Sequence, residues 1–486
     1  MSNDYGPCQQ NTYGYCVNGG KSYNILVMAN KKPEKDMLEK IAGAPAAALD
    51  STLTKTEKLA HDLPRSKGVK RTRAYWNILG PGLTTGAADD DPSGIATYSQ
   101  AGAQYGFQLL WLSLLTFPLM AIIQEMCARI GLVTGRGLAG NIRTHFSKRT
   151  LYTCTLLLFA ANAFNIGADL GAMAKGVQLL DGHINYSLLV IGFAIVMLLL
   201  QIFMPYAKYA HYLKWLAMVL LAYIGAALLA HLNWGNVLHK TVAPSIHWSK
   251  NQILLICAIL GTTISPYLFF WQTSQEVENE ILDGKTTIAS RQGSDKHAVH
   301  GMRIDVWSGM LLSNVVMFFI IAACGATLFP HGITQINTAA DAAEALRPFA
   351  GNLTYFLFAV GIIGTGLLAI PVLAGSSSYA ICEGLSWKEG LYRNLKQAHT
   401  FYGTIIISMF VGLGINFIGI DPIKALIYSA IANGIVAPII LATIVIISSN
   451  KKTMGEWVNK KSTTWLGWGV TGLMAMAGIG AIYSIF

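Results

Sequence analysis

Three consecutive carboxylates, Asp89, Asp90 and Asp91, lie in an apolar stretch that is long enough to cross a membrane. An ionised side chain at the centre of a bilayer costs roughly 2.5–3.5 kcal/mol on insertion scales. Three adjacent charges at that depth therefore need compensation by water or by a cation. The nearby Pro92 and Gly94 interrupt a helix and free backbone carbonyls to act as ligands. The segment predicts a cation site at an interrupted membrane helix.

A second apolar segment carries a similar interruption. Residues 260–275 read LGTTISPYLFFWQTSQ, with Gly261 and Pro266 in the middle of the segment. A Gly/Thr-rich sequence at residues 84–86 likewise precedes the interruption in the first segment. Interrupted helices at matching places in two halves of a membrane chain are typical of an inverted repeat with the ion site between the breaks. We therefore expect the two segments to face each other.

The composition is that of a membrane protein. The chain has 486 residues, of which 53% are hydrophobic and 12% are charged, and its mean hydropathy is +0.44. Soluble domains contain about 25% charged residues. Apolar segments of about 20 residues or more predict eleven membrane spans, with a break near Pro371 as an alternative for the eighth. These segments lie at residues 76–103, 107–131, 150–179, 185–205, 212–232, 253–277, 305–329, 353–381, 400–419, 424–448 and 465–486.

The basic residues predict the orientation of these spans. With the amino terminus inside, thirty of the 35 Lys and Arg residues fall on the cytoplasmic side and four on the other side. This asymmetry is a strong positive-inside signal. It predicts a multi-pass protein of the cell (inner or plasma) membrane with a cytoplasmic amino terminus and an external carboxyl terminus. The net charge of +10 is then a consequence of topology, so we expect no nucleic-acid partner.

The chain divides into an arm and a membrane domain. Residues 1–75 are polar, and we expect a partly disordered cytosolic arm. Its basic run RSKGVKRTR, at residues 65–73, is typical of a segment that binds anionic lipid headgroups. We expect the transporter domain to span 76–486, with a first repeat at about 76–232, a second at about 253–448 and an extra helix at 465–486.

Several motifs resemble the NRAMP family of divalent-metal transporters, over nearly all of residues 76–486. The resemblance implies an all-α LeuT-type fold with discontinuous first and sixth helices and a 5+5 inverted repeat. It also implies that a metal binds between the unwound parts of these helices as the transported substrate, without a cofactor. The matching elements are GPG at 80–82, Asp91-Pro92, LLW at 109–111, ARIGLVTG at 128–135 and Asp169-Leu170.

The departures from the family pattern concern the ligands. The family motif Asp-Pro-Gly-Asn reads Asp91-Pro92-Ser93-Gly94 here, and Met-Pro-His reads Ser265-Pro266-Tyr267. Gly94 and Ser265 therefore replace the ligating Asn and Met, and Thr262 takes the position of a carbonyl ligand. With Asp89 and Asp90 added, the pattern is similar to the NRAMP-related magnesium transporter branch.

The chemistry of the replacements favours a hard ion. A thioether is a soft ligand that selects transition metals, whereas carboxylate and carbonyl oxygens suit Mg²⁺ and Mn²⁺. Mg²⁺ loses its water reluctantly, and the small Gly94 and Ser265 leave room for water. We therefore expect a transporter or facilitator that imports Mg²⁺, with Mn²⁺ possible. The predicted metal-site residues are Asp91, Asp90, Thr262, Ser265, Gly94, Asp89 and Tyr267.

Five of these residues also have a purely structural interpretation. Asp91 is a good N-cap for the helix that follows, and Asp89 is an alternative structural hydrogen-bond acceptor. Thr262 is open to a bond with its own helix. Ser265 is small enough to serve helix packing alone. Tyr267, if buried, needs one hydrogen-bond partner.

The resemblance also bears on proton coupling. Tyr267 and Gln272 occupy the positions where the family has histidines on helix 6. Of the family's acids on helix 3, only Asp169 is present, and Asn162 and Ala172 occupy the other two positions. A proton relay needs titratable groups within reach of one another. We therefore predict weak proton coupling or none.

Two further polar residues are candidates for a relay or permeation role. One is Asp169, for which a buried ion pair with Lys175 is the structural alternative. The other is Asn433, which lies in the tenth span and is expected to hydrogen-bond the unwound part of helix 1. At the end of the sixth span, Glu276, Glu278 and Glu280 are expected to form a solvated acidic face.

Other functions remain as alternatives. A proton-coupled Mn²⁺/Fe²⁺ symporter shares the resemblance but lacks the soft ligand, and an NRAMP-like sensor without transport is more distant. The sequence has no phosphate-binding loop, catalytic triad or zinc motif, so we expect neither an enzyme nor a primary pump. We expect the protein to act as a monomer.

Overall fold

The structure is a computed structural model of the 486-residue chain. It describes residues 9–10, 15–18, 21–24, 75–204, 206–229, 232–243, 249–336, 339–418 and 422–485. The predicted headgroup-binding run at 65–73 lies outside the described residues. The chain divides into two units, Met1–Ala44 and Pro45–Phe486.

The first unit contains three short antiparallel strands. They are β1 (Gln9–Gln10), β2 (Tyr15–Asn18) and β3 (Lys21–Asn24), in the order β1-β2-β3. Gln9 pairs with Val17, and Cys16 pairs with Tyr23. The sequence analysis predicted no sheet in this arm.

Every regular element that the structure describes in the second unit is helical. Short 3₁₀ turns lie at Ala217–Leu220, Phe329–His331 and Gly455–Trp457. The α-helices are α1 (Pro81–Asp89), α2 (Pro92–Tyr105), α3 (Trp111–Thr134), α4 (Leu138–His145), α5 (Lys148–Leu180), α6 (Tyr186–Phe203), α7 (Tyr206–Leu216), α8 (Leu221–Leu229), α9 (Trp234–Val242), α10 (Lys250–Thr263), α11 (Pro266–Leu282), α12 (Ile288–Arg291), α13 (Lys296–Thr327), α14 (Ala339–Leu385), α15 (His399–Ile415), α16 (Pro422–Ser448), α17 (Lys451–Met454) and α18 (Lys461–Ile485).

All eleven predicted spans fall on these helices. Within the described residues, seven helical segments are long and apolar enough to cross a bilayer, and a pair bent by 63° at 432–457 makes an eighth. The first, ninth and eleventh predicted spans lie outside that set; the first consists of two short helices, and the helix of the ninth, His399–Ile415, has 17 residues. The predicted break near Pro371 is wrong, since α14 is helical there and departs from helical geometry at Gly351 instead. Gly351 has φ 85°, which a residue without Cβ adopts readily.

Two pairs of short helices form the predicted discontinuous helices. Between α1 and α2, Asp90 has φ −85° and ψ 53°, and Asp91 is extended. Between α10 and α11, Ile264 has φ −104° and ψ 63°, and Ser265 is extended. A proline then begins each second helix, where its missing N–H costs nothing. The same two-residue break therefore occurs in both halves, which confirms the prediction of a matched pair.

Half-helix α1 lies against α13 at very close range. A Cβ added to Gly86 would stand 2.2 Å from the carbonyl oxygen of Gly309, and one added to Gly309 would stand 2.0 Å from that of Gly82. Small residues let membrane helices approach until their backbones touch. The glycines thus determine the position of the helix that ends in the acid triplet.

We expect Gly86→Ala to destabilise the protein by about 1–3 kcal/mol, because the methyl group meets backbone that has no room to move. Gly192→Ala is the control, since nothing lies within 4 Å of a Cβ at that helical position. Thermal unfolding of the purified protein in detergent measures both. Equal melting temperatures for the two variants would contradict the close contact.

Candidate metal site

The break in the first discontinuous helix places three acids in succession. Asp89 is the last residue of α1, and Asp91 is the N-cap of α2. Their side chains, with that of Asp90 between them, are at most 2% exposed. Asp91 Oδ1 accepts hydrogen bonds from Ser93 Oγ and the Gly94 N–H, both at 2.6 Å. The capping role is thus formed, and it uses one of the two carboxylate oxygens of Asp91.

The other two acids are incompletely satisfied. Ser313 on α13 donates to Asp89 Oδ2 at 2.7 Å. Asp89 Oδ1 and both oxygens of Asp90 are buried without a hydrogen-bond partner. No ion pair to the triplet is found among the described residues. Because a buried ionised carboxylate without a partner is very costly, these oxygens are suited to receive a cation.

The second break supplies the facing group of oxygens. Ser265 Oγ donates to the carbonyl oxygens of Gly261 at 2.9 Å and Thr262 at 2.6 Å. Tyr267 Oη donates to the Ala88 carbonyl oxygen at 2.8 Å and so ties α11 to the end of α1. The carbonyl oxygen of Thr262 retains a second lone pair for a ligand.

The two breaks meet at Gly94. A Cβ at this position would lie 3.3 Å from the Asp89 carbonyl oxygen, 3.3 Å from Thr262 Oγ1 and 3.4 Å from Asp91 Oδ1. The missing side chain therefore leaves a space bordered by oxygens from both discontinuous helices. The structure brings together Asp91, Thr262 and Gly94, three of the residues that the sequence predicts for the metal site.

The acids alone do not form a finished cage. In the part of the chain that the structure describes, no three His, Cys, Asp or Glu side chains have the geometry to hold a metal ion. Coordination in the space beside Gly94 would therefore need hydroxyls, carbonyls and water in addition to carboxylates. Such a mixed, partly hydrated shell is the usual one for Mg²⁺.

Asp169 lies on α5 close to this site. It is fully buried near Asp91 and the backbone N–H of Ser93, and neither of its carboxylate oxygens has a well-formed hydrogen bond. Lys175 is exposed and lies 5.3 Å from the centre of the Tyr186 ring. The ion pair between Asp169 and Lys175 is therefore not formed, and Asp169 is a fourth incompletely satisfied acid near the breaks.

Asn433 is also buried, and its Oδ1 has no hydrogen-bond partner. The next residue, Gly434, lies against the second break, where a Cβ would stand 3.7 Å from the Cα of Gly261. The expected hydrogen bond to the unwound part of helix 1 is thus not formed through Oδ1. This segment of α16 packs instead on the end of α10.

The polar face of α5 contains a residue that sequence reasoning missed. Asn165, four positions before Asp169 and so on the same helical face, is buried with both side-chain polar atoms unpartnered. The four-residue spacing from Asp169 is a signal in the sequence that could have identified Asn165. Asn162, by contrast, donates through Nδ2 to Ser376 Oγ and Ser377 Oγ at 2.9 and 3.0 Å. Asn162 therefore connects α5 to α14.

The expectation of a solvated acidic face on α11 is wrong. Glu276, Glu278 and Glu280 are 6%, 2% and 3% exposed. Glu278 Oε1 accepts hydrogen bonds from the Leu391 N–H at 2.8 Å and from Tyr379 Oη at 2.5 Å. Packing against α14 and the loop after it buries this end of α11, which the sequence of α11 alone does not reveal.

A cavity of about 370 Å³ adjoins Glu278, at the predicted cytosolic end of α11. Its lining includes Glu278, Glu383, Glu389 and three arginines. In the loop after α14, burial and then repulsion from Glu383 and Glu278 raise the pKa of Glu389 to about 10. The shift favours the neutral form of this carboxyl.

Residues 82–484 match the family described as "Natural resistance-associated macrophage protein-like". The chain belongs to this family. A curated relative, the divalent metal cation transporter MntH of Clostridium acetobutylicum, is 26% identical over 445 residues, which cover 87% of this chain and 95% of the relative.

Two solved structures support the fold. A manganese transporter of Eremococcus coleocola has a TM-score of 0.65 at 19% identity, covering 87% of this chain and 89% of its own. Mhp1, a nucleobase-cation-symport-1 family transporter, has a TM-score of 0.55 at 16% identity, covering 84% and 91%. The predicted LeuT-type fold is confirmed. The relatives are transporters, so the prediction that the chain is not an enzyme is also confirmed, as is the prediction that a metal is cargo and not a cofactor.

We expect Asp90→Asn to stabilise the metal-free protein, because the substitution removes one of three buried, mutually repelling charges. It should also reduce the stabilisation that added Mg²⁺ provides, which for the unaltered protein is about 2.7 kcal/mol at a concentration 100 times the Kd. Thermal unfolding with EDTA and across a Mg²⁺ series measures both effects. Asp283→Asn, at an exposed position, is the control. An unchanged response of Asp90→Asn to Mg²⁺ would show that Asp90 does not contribute to the ion site.

Proposed function

We propose that this protein carries divalent metal cations across the membrane, with Mg²⁺ as the preferred ion and Mn²⁺ as an accepted one. The observation that carries the proposal is the space at Gly94. It is bordered by the backbone carbonyl oxygen of Asp89, the carboxylate Oδ1 of Asp91 and the hydroxyl oxygen of Thr262. Oxygen ligands from carboxylates, hydroxyls and carbonyls suit hard cations. The three acids supply the negative charge that a divalent ion needs at this depth.

Position 265 strengthens the case for a hard ion. The residue there is Ser265, whose hydroxyl donates to carbonyl oxygens of its own helix. It contributes an oxygen where the family pattern has a thioether. A site without that soft ligand loses the means to prefer transition metals over Mg²⁺.

Mn²⁺ is the second candidate because of the relatives. One is a divalent metal cation transporter, and a structural neighbour is a manganese transporter. Mn²⁺ accepts the same carboxylate, carbonyl and water ligands as Mg²⁺, so the oxygen-bordered space is compatible with both ions.

We further propose that transport is weakly coupled to protons or not coupled. Tyr267 and Gln272 stand where the family pattern has histidines, and the hydroxyl of Tyr267 is engaged with the Ala88 carbonyl. Asn162, at a former acid position, is hydrogen-bonded to α14. Transport would then follow the electrochemical gradient, in which the membrane potential contributes about 4.6 kcal/mol per 100 mV for a divalent ion, at 2.3 per charge.

The positive-inside asymmetry supports insertion in the cell membrane with a cytoplasmic amino terminus and an external carboxyl terminus. With this orientation α11 ends on the cytosolic side, and the cavity at Glu278 opens toward the cytosol. Uptake would therefore proceed from the site at the two breaks toward this end of α11.

Flux into liposomes tests the proposal, with separate dyes for Mg²⁺, Mn²⁺ and internal pH. We expect Mg²⁺ entry without acidification. Asp91→Asn should abolish it while keeping the fold, because Asn is as good an N-cap as Asp. Asp91→Ala should lose both transport and about 1 kcal/mol of stability. Asp283→Asn is the control.

Two results of this assay would contradict the proposal. Mn²⁺ or Cd²⁺ uptake with matched acidification would favour the proton-coupled symporter. Full activity of Asp91→Asn would mean that Asp91 serves only as a helix cap.

We expect Ser265→Met to shift the preference toward soft metals, because a thioether then faces the acids. In the same liposomes, Cd²⁺ uptake should rise relative to Mg²⁺ uptake. Ser265→Ala removes the hydroxyl without adding sulfur, and it separates the effect of the new ligand from the loss of the old one. An identical ion preference in both variants would place residue 265 outside the ion's coordination sphere.

A further inference from the structure

One face of α13 holds half-helix α1 in place. Asp305, Gly309 and Ser313 follow at intervals of four residues, so they lie in one row on the helix. Each contacts α1 or the residue that precedes it, and the three contacts are spread over the whole length of the half-helix. We call this row the α13 row.

Asp305 holds the beginning of α1. Its Oδ1 accepts from the N–H groups of Gly80 at 2.7 Å and Leu83 at 3.0 Å, and its Oδ2 accepts from that of Gly82 at 2.7 Å. Helix starts leave such N–H groups without partners in the helix. The local N-cap, Gly80, has no side chain to satisfy them. A carboxylate 2% exposed on another helix therefore caps α1.

Ser313 holds the other end. Its hydroxyl donates to Asp89 Oδ2 at 2.7 Å. Asp89 Oδ1 is buried and has no hydrogen-bond partner. The serine therefore occupies one carboxylate oxygen and leaves the other available. Between the two ends, α1 and α13 are in backbone contact, since a Cβ added to Gly309 would stand 2.0 Å from the carbonyl oxygen of Gly82.

We propose that Asp305 and Ser313 are positioning residues of the metal site. Asp305 fixes the start of α1 on α13, and Ser313 orients Asp89 at its end so that one oxygen remains for the ion. Neither residue needs to touch the ion. This inference deepens the proposed function and rests on it, since it assigns to α13 the geometry of the site that binds the cation.

The Ser313 series tests the inference through ion affinity. In liposomes, Ser313→Ala should raise the KM for Mg²⁺ about tenfold or more, the cost of losing a hydrogen bond to a charged group, while the maximal rate changes less. Ser313→Thr keeps the hydroxyl and should restore the KM. Ser408→Ala is the matched control, because Ser408 is equally buried and its hydroxyl donates to Ile405 of its own helix.

Three outcomes of this series would overturn the inference. They are an unchanged KM in Ser313→Ala, an equal shift in Ser408→Ala, and a failure of Ser313→Thr to restore the KM. Repeating the series with Mn²⁺ separates this inference from the proposed function. A wild-type protein that carries only Mn²⁺ would refute the Mg²⁺ preference, and the shift caused by Ser313→Ala would still be measurable.

Hydrogen exchange tests the Asp305 contact without any transport. In Asp305→Asn, which loses the charge and one acceptor oxygen, the amides of Gly80, Gly82 and Leu83 should exchange faster than in the wild type. Mass spectrometry of peptides covering residues 79–90 measures this in detergent-solubilised protein, with Asp283→Asn as the control. Unchanged exchange would overturn the role of Asp305. Should Asp305→Asn fail to fold, the Ser313 series still decides the inference.

Discussion

Three carboxylates buried in succession, without a basic partner among the described residues, are the constraint on which the site depends. They are stable only where water, hydrogen-bond donors or a cation compensates their charge. Few hydrogen-bond donors contact these carboxylates. Asp91 receives two at the start of α2, and Asp89 receives one from Ser313. Asp89 Oδ1 and both carboxylate oxygens of Asp90 remain without partners, and in the proposed function they supply negative charge for the transported ion.

The backbone breaks place free backbone groups next to the buried acids. Each break ends one short helix and begins another, so that free carbonyls and a helix start lie next to each other. At the start of α2, Asp91 Oδ1 caps the helix, and the same oxygen borders the space at Gly94. In the second break Ser265 has the equivalent position, with a hydroxyl in place of a carboxylate. The two breaks thus share a backbone geometry, but the carboxylates lie in the first break and the second has a hydroxyl at the equivalent position.

In the proposed function, the residues at the two breaks account for the ion selectivity and for the weak or absent proton coupling. Gly94 and Ser265 stand where the family pattern has larger ligands, and the space at Gly94 is bordered by oxygens of both breaks. Tyr267 and Asn162 are bonded to backbone or to serines of neighbouring helices. Residues that hold helices together in this way are poor members of a proton relay, because neither titrates in the physiological range.

The helical spans, the two matching breaks and the acids of the first break could be predicted from the sequence, because hydropathy, proline and glycine act locally along the chain. The roles of Asp305, Ser313 and the buried glutamates of α11 depended on tertiary structure. Ser313 meets Asp89 across 224 residues of chain, and no local pattern encodes that contact. The break in α14 likewise falls at Gly351, not at Pro371, since a membrane helix tolerates a proline where its neighbours satisfy the freed backbone groups.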